Sequence, residues 1–176
     1  MRYGLIAFLI FFISVGEISA LNISSVNGIK SKKDFEFSKT ILVKRIEFKN
    51  GFLKMPLDSY KTKKYSNIKI LTKDFYNKIL NCFNSDKCEK SGERKNISIK
   101  IEKIFSLKSP LRIANANVSF DGELIVVFGI VKEKREKEKI WISYPKDFEI
   151  SDEVFKDNLE KLIKREFEKS QKGEKK

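Results

Sequence analysis

Histidine is absent from this 176-residue sequence, and cysteine occurs only twice. Histidine is the side chain that most often transfers protons near neutral pH and most often binds metal ions. Its absence excludes a histidine-dependent catalytic triad, and two cysteines cannot by themselves form a zinc finger. The sequence also has no glycine-rich phosphate loop, no nucleophile elbow and no paired-carboxylate constellation. We therefore predict a non-enzymatic protein with no catalytic residue, cofactor, metal site or small-molecule substrate.

Positive charge is in excess. Lys and Arg number 37 against 24 Asp and Glu, which gives a formal net charge of +13. Residues 21–95 carry most of this charge, with 18 Lys and Arg against 8 Asp and Glu. Apolar residues make up 41% of the chain, enough for a buried core, so wholesale disorder is excluded. The composition indicates a folded basic protein whose partner is a polyanion: a nucleic acid, an anionic lipid or a cell-wall polymer.

The first 20 residues have the three parts of a secretory signal peptide. Arg2 supplies the positive charge, residues 5–15 form a run that is apolar except for Ser14, and Ala20 is the small residue at the cleavage point. The apolar segment is shorter than the roughly 20 residues needed to span a bilayer. We predict export to the periplasm or the medium after cleavage before Leu21. The alternative is a membrane anchor formed by residues 4–16.

The remaining chain repeats one order of elements twice. In each copy, apolar alternation predicts strands, which are followed by a strand that stops at proline and by one amphipathic helix. Turn signals occur at Asn50-Gly51 in the first copy and at Asp121-Gly122 in the second. We predict an α+β protein of two small modules, each an antiparallel β-sheet followed by a helix. The predicted boundaries are a signal peptide at 1–20, module 1 at 21–84, a linker at 85–96, module 2 at 97–170 and a disordered basic tail at 171–176.

Several details of the repeat are also predicted. Thr72 is the predicted N-cap of the first helix and Ser151 that of the second. Trp141 is predicted to lie in the core, and residues 61–64 and 132–139 are predicted to be charged loops. The second helix is predicted to bury one apolar stripe: Val154, Phe155, Leu159, Leu162, Ile163 and Phe167. The predicted correspondence between the helices matches Phe75, Ile79 and Phe83 with Leu159, Ile163 and Phe167.

Residues 112–127 (RIANANVSFDGELIVV) resemble the SpoVG (stage V sporulation protein G) family. Its members carry an Arg-x-x-Ala-x-Ala/Ser stretch and then an Asp-x-Glu turn into an apolar strand. Residues 50–56 (NGFLKMP) resemble the Met-Pro strand of the same family, whose place in the second copy is taken by the strand ending at Tyr144-Pro145. The resemblance implies a twisted antiparallel sheet with one helix, paired as a homodimer or, with two copies present, as a pseudo-dimer within one polypeptide. It also implies an association with septation and sporulation, and binding to DNA and RNA with modest sequence preference.

Two features depart from the family pattern. Family members are cytosolic, whereas this chain carries an export signal. The family's Ser-Lys-Arg after Met-Pro is replaced by residues 57–60 (LDSY) in the first copy and by residues 146–148 (KDF) in the second. The predicted function is a non-enzymatic, exported binding module associated with septation or sporulation. The alternative is a DNA- or RNA-binding regulatory protein that acts through its basic first module.

The residues predicted to contact an anion or a nucleic acid all lie in the first module: Lys30, Lys32, Lys33, Lys44, Arg45, Lys61, Lys63 and Lys64. Tyr60 and Tyr65 are interleaved with the last three. Bases beside aromatic rings can follow a phosphate backbone and stack on unpaired nucleobases. A lysine-rich solvated surface with no partner is the competing interpretation.

Cys82 and Cys88 enclose a short loop. In an oxidising compartment we predict a disulfide between them; the alternative is two free thiols, with Cys82 packed beside Ile79. Their spacing is not that of a CxxC redox motif, so no redox chemistry is predicted.

Overall fold

A computed structural model of the chain describes residues 20–84, 88, 90–91, 96–133 and 139–173. The described part is α+β, as predicted, with antiparallel sheets and two helices. Its strands are β1 (Ile23–Ile29), β2 (Lys32–Phe37), β3 (Ile41–Lys49), β4 (Phe52–Lys54), β5 (Asp58–Tyr60), β6 (Lys63–Tyr65), β7 (Ile68–Ile70), β8 (Ile99–Ser106), β9 (Arg112–Phe120), β10 (Leu124–Lys132), β11 (Ile140–Ser143) and β12 (Phe148–Ile150). The helices are α1 (Lys73–Asn84) and α2 (Glu153–Gly173). The signal peptide up to residue 19, most of the predicted linker and most of the predicted 132–139 loop lie outside the described residues.

The first sheet joins β1, β2, β3 and β12 in that order, with β4 paired to the end of β3. A β-bulge interrupts the pairing of β2 with β3: the register between the two strands shifts, and Arg45 adopts a φ of 60°. Because of this bulge, Val43 and Ile46 both face the core although they are three positions apart. The Asn50-Gly51 turn is confirmed, since both residues have positive φ and β3 pairs with β4 across it.

The second sheet joins β11, β10, β9 and β8 in that order, with β7 paired to the start of β10. The Asp121-Gly122 turn is confirmed in the same way, with φ angles of 50° and 66°. Alternate residues of β9 and β10 face inward and are fully buried: Ala114, Ala116, Val118, Phe120, Leu124, Val126, Phe128 and Ile130. A bulge between Ile101 and Lys103 shifts the register of β8 against β9.

Each sheet is completed by a strand from the other half of the chain. β12 pairs with β3, and β7 pairs with β10. The registers correspond, because Ile150 lies opposite Ile41 while Ile70 lies opposite Leu124. Equivalent backbone hydrogen bonds flank the two exchanged strands. Beside β12, Ser151 N donates to Thr40 O and Lys44 N donates to Asp147 O. Beside β7, Leu71 N donates to Glu123 O and Val127 N donates to Asn67 O. The two halves therefore interlock through reciprocal contacts, an arrangement that the local sequence patterns do not predict.

The two helices occupy corresponding positions. Phe75 N donates to Thr72 Oγ1 (3.2 Å), which confirms Thr72 as the N-cap of α1. In α2, Phe155 N donates to Asp152 Oδ1 (3.1 Å), so the predicted N-cap Ser151 is wrong. The Asp152 carboxylate also accepts a hydrogen bond from Val154 N (2.9 Å), and its negative charge complements the helix amino terminus. Phe75 thus corresponds to Phe155, and the predicted match of Phe75 with Leu159 is wrong by one helical turn.

The buried side chains of both halves form one continuous hydrophobic core. In the first half, the ring centroids of Phe37 and Phe75 lie 5.0 Å apart, which packs α1 onto the first sheet. In the second half, Phe148 of β12 lies 5.8 Å from Phe120 and 5.6 Å from Phe128. β12 is hydrogen-bonded to the first sheet while its phenylalanine packs on the second. This strand joins the two sheets directly.

Three further expectations are wrong. Trp141 is 50% exposed, because it lies on the outer face of its strand. Val154 is 72% exposed, although Leu159, Ile163 and Phe167 of the predicted stripe are buried. α2 continues to Gly173, into the segment predicted as a disordered tail, and residues 174–176 lie outside the described residues.

Cys82 and Cys88 are joined by a disulfide, with Cys82 in α1 and buried. Reduction is expected to lower the free energy of unfolding by about 2 kcal/mol, because the bond closes a short loop in the unfolded chain. Urea unfolding with and without dithiothreitol measures the difference. A Cys88→Ser variant is the control: its stability should match that of the reduced protein and should not respond to dithiothreitol. A reductant effect that persisted in this variant would contradict the assignment.

Candidate polyanion-binding surface

The structure does not bring the eight predicted basic residues together. Lys32 pairs with Glu47 (Nζ to Oε1, 3.1 Å), Lys44 pairs with Glu149, and Arg45 forms a two-point ion pair with Asp147. The hydrogen bond to Asp147 and its charge raise the pKa of Arg45. The outer face of the first sheet is therefore largely neutralised by its own carboxylates.

The remaining predicted bases lie in three places. Lys33 donates to the carbonyl oxygen of Cys82, with its Nζ 5.2 Å from the ring centroid of Phe83. Lys30 is exposed between β1 and β2. Lys61, Lys63 and Lys64 lie on the β5–β6 hairpin: of the loop predicted at 61–64, residues 61–62 form the turn, whereas Lys63 and Lys64 belong to β6.

We call residues 58–65 the lysine–tyrosine hairpin. Tyr60 pairs with Lys63 across it, and Asp58 pairs with Tyr65, so Tyr60, Lys63 and Tyr65 share one face. The tyrosines are 67% and 42% exposed, and Lys61 Nζ lies 5.7 Å from the Tyr60 ring centroid. None of the three lysines forms an ion pair with any carboxylate of the described residues.

The lysine–tyrosine hairpin is held at the edge of the second sheet. Asp58 Oδ2 accepts a hydrogen bond from Asn67 Nδ2 (2.5 Å), and Asp58 Oδ1 accepts one from Lys146 N (3.1 Å). Asn67 in turn accepts from the backbone N–H of Val127 in β10 (2.8 Å). These contacts tie the hairpin to both halves of the chain.

The outer face of the second sheet also presents bases beside exposed aromatic rings. Cross-strand pairing places Phe105 opposite Asn115, and Asn115 opposite Gly129, in one outward row. The adjacent row contains Arg112, Val131 and Trp141. Phe105 is 38% exposed, and Lys103 Nζ lies 4.5 Å from its ring centroid. We use "outer face" below for Lys69, Lys103, Phe105, Arg112 and Trp141.

Arg112 lies flat across the middle of this outer face. Its Nε donates to Asn115 Oδ1 (2.7 Å), and a Cβ at position 129 would lie only 2.8 Å from that nitrogen. Gly129 thus leaves the space that the guanidinium occupies. Burial lowers the pKa of Arg112, while the nearby charge of Asp58 raises it. Arginine stays protonated despite such shifts, so the sheet carries a fixed positive charge at its centre.

Sequence reasoning missed most of the outer face. Trp141 alternates with apolar neighbours, which is equally consistent with either face of a strand. Phe105 and Lys103 point outward because of the bulge after Ile101. The loss of alternation between Ile101 and Ile104 was the available signal for that bulge.

The described residues contain no cluster of three or more Cys, Asp or Glu side chains that could bind a metal ion. Tyr144 donates to Glu160 Oε1 (3.1 Å), and burial with this carboxylate raises the pKa of the phenol well above its usual value. In the described part of the chain, neither helix combines the length and the apolar character needed to cross a membrane. Comparison of the chain with protein-family models, with curated proteins and with solved structures finds no match.

Proposed function

We propose that this chain is a non-enzymatic binding protein of the SpoVG type that binds single-stranded nucleic acid through the lysine–tyrosine hairpin and the outer face. One observation carries the proposal. The hairpin and the outer face together present six bases that form no ion pair with a described carboxylate and four exposed aromatic rings: Lys61, Lys63, Lys64, Lys69, Lys103 and Arg112, with Tyr60, Tyr65, Phe105 and Trp141. Bases follow the phosphate backbone, and aromatic rings provide stacking platforms for unpaired nucleobases.

Two features support the SpoVG part of the proposal. The motif residues 112–127 form β9, a turn and the start of β10, and residues 50–56 form a turn and β4. The reciprocal exchange of β7 and β12 supports two tandem modules that form the family's dimer within one polypeptide. The proposed association with septation or sporulation rests on the resemblance of the sequence to the SpoVG family. With the leader removed, the nucleic acid bound is one outside the cytoplasm.

Replacing Lys61, Lys63 and Lys64 together with alanine is expected to weaken binding to a fluorescein-labelled dT20 roughly 10- to 100-fold. The plot of log affinity against log salt should also lose about 2 units of slope, because each single-strand phosphate contact contributes about 0.7. Fluorescence anisotropy between 50 and 200 mM salt measures both quantities.

The matched control removes the same charge from α2, by replacing Lys156, Lys164 and Lys169 with alanine. These lysines pair with glutamates of their own helix. Binding should change less than about threefold. An equal loss in both triple variants would mean that binding follows net charge alone, and the proposed surface would then be wrong.

Two further measurements decide the class of ligand. Tyr60→Ala and Trp141→Ala should each weaken dT20 binding about fivefold or more, because a stacked base contributes about 1–3 kcal/mol. Unlabelled dT20 should displace the probe, whereas polyglutamate or phosphatidylglycerol vesicles at equal charge concentration should not. If polyglutamate or vesicles displaced the probe equally well and the aromatic variants had no effect, the ligand would be a cell-wall polymer or a lipid surface and not a nucleic acid.

A further inference from the structure

The backbone nitrogen of Leu21 lies in the interior against a carboxylate. Leu21 is 0% exposed, and its N–H donates to Glu123 Oε2 at 2.7 Å. Glu123 follows the Asp121-Gly122 turn between β9 and β10, and its side chain is only 12% exposed. The contact joins positions 102 residues apart in the chain.

This buried carboxylate has little positive charge to balance it. Lys78 Nζ lies 3.7 Å from Glu123 Oε1, but the lysine side chain is 43% exposed. Burial raises the pKa of Glu123, while the hydrogen bond from Leu21 and the charge of Lys78 lower it, and Asp121 raises it. A neutral amide donor and a solvated lysine compensate a buried carboxylate only in part.

The repeat itself does not require an acid at this position. The residue that corresponds to Glu123 in the first half is Thr40, because Thr40 accepts the Ser151 hydrogen bond where Glu123 accepts that of Leu71. Thr40 is uncharged, and its hydroxyl donates to the Ser38 carbonyl oxygen (3.0 Å). The carboxylate is therefore a feature of the second half alone, at the one turn that receives the backbone nitrogen of Leu21.

We propose that Glu123 is the docking site for a new amino terminus at Leu21, created when a signal peptidase removes residues 1–20. The inference rests on the predicted cleavage after Ala20 and does not depend on the proposed ligand. Hydrolysis breaks the C–N bond between Ala20 and Leu21, with water supplying the carboxylate oxygen on Ala20. The released amine takes up a proton and becomes an ammonium group. An ammonium in place of the amide turns a hydrogen bond into a buried ion pair.

The order of events follows from burial. Leu21 is enclosed and β1 begins at Ile23, so a peptidase cannot bind an extended chain across the Ala20–Leu21 bond after folding. Cleavage precedes folding, and the processed chain then folds onto the carboxylate.

The test compares two chains, one starting at Leu21 with a free amine and one with Gly-Ser before Leu21. Among the described residues, every member of the hydrophobic core lies between Leu21 and Phe167, so both chains contain all of it. In the free-amine chain, Glu123→Gln is expected to raise the unfolding equilibrium constant at least about tenfold, because it leaves an unpaired buried ammonium. In the Gly-Ser chain the same change should alter it less than about threefold. Equal effects in the two chains would overturn the proposal.

A control variant and two readouts complete the design. Glu149→Gln removes an exposed partner of Lys44 and should have the same small effect in both chains. If Glu123→Gln does not fold, the pKa of the Leu21 α-amine in the unmutated free-amine chain provides the test. This pKa is expected to lie above the usual range of about 7.7–8.0, and a value within that range would refute docking. The full chain exported from a secreting host should begin at Leu21, and a different amino terminus would refute the site. None of these results depends on whether dT20 binds.

Discussion

Replacing Phe148 with alanine is expected to lower the free energy of unfolding by about 3–5 kcal/mol, the usual cost of deleting a buried phenylalanine ring. The ring is 2% exposed and contacts Phe120, Phe128 and Tyr144. The loss of unfolding free energy should lie toward the upper end of this range, because Phe148 belongs to the exchanged strand β12, whose backbone pairs with β3 of the other half. A cavity there loosens both the aromatic cluster of the second sheet and an edge of the first.

Urea unfolding followed by far-UV circular dichroism measures the loss. Val154→Ala is the matched control, since Val154 is 72% exposed in the first turn of α2, only six positions further along the chain. Its effect should stay within about 0.5 kcal/mol. A cost below about 1.5 kcal/mol for Phe148→Ala would mean that β12 does not pack between the two sheets.

Cutting the backbone between residues 91 and 96 is expected to leave the halves bound to each other, whereas either half alone should not fold as a monomer. Separation would remove β12 from the first sheet and β7 from the second. It would also expose much of a core that both halves share. The strands that remain would present unpaired backbone edges, which are unfavourable in water and prone to association.

A protease site inserted in that segment provides the test. Size-exclusion chromatography before and after cleavage should give the same elution volume, and the fragments should separate only in denaturant. Each half expressed by itself should show no cooperative unfolding transition as a monomer in urea. A monomeric half with a cooperative transition would demonstrate independent modules and would contradict the interlocked arrangement.

Much of the fold could be predicted from local patterns. Alternation indicates β2, β3 and β9, because one face of each strand is buried and the pattern therefore has period two, whereas β10 is a nearly continuous apolar run. The Asn50-Gly51 and Asp121-Gly122 turns were predictable because these residues tolerate positive φ. The two helices were predictable from apolar stripes at helical spacing. The residue-by-residue match between the two helices was not predictable, because an apolar stripe repeats every turn and looks the same after a shift of one turn.

The exchanged strands could not be predicted, and neither could the binding surface. β7 and β12 have three residues each, too few for periodicity to identify a strand or its partner. Lys32, Lys44 and Arg45 resemble free bases in the sequence, yet each lies beside a carboxylate in the structure. Pairing of this kind depends on which strands are neighbours, and residue counts do not contain that information.

The chemical character of this protein follows directly from its residues: it is basic, lacks histidine, and has two strand-rich segments that each end in an amphipathic helix. These properties follow from residue type and spacing along one strand or helix, and they do not depend on the partners of that element. Three other features emerge only from the packing of the whole chain: the halves exchange strands, Trp141 is exposed, and Leu21 N contacts Glu123. Each of these results joins segments far apart in the chain. The burial of both segments makes such contacts favourable, and local sequence does not specify them.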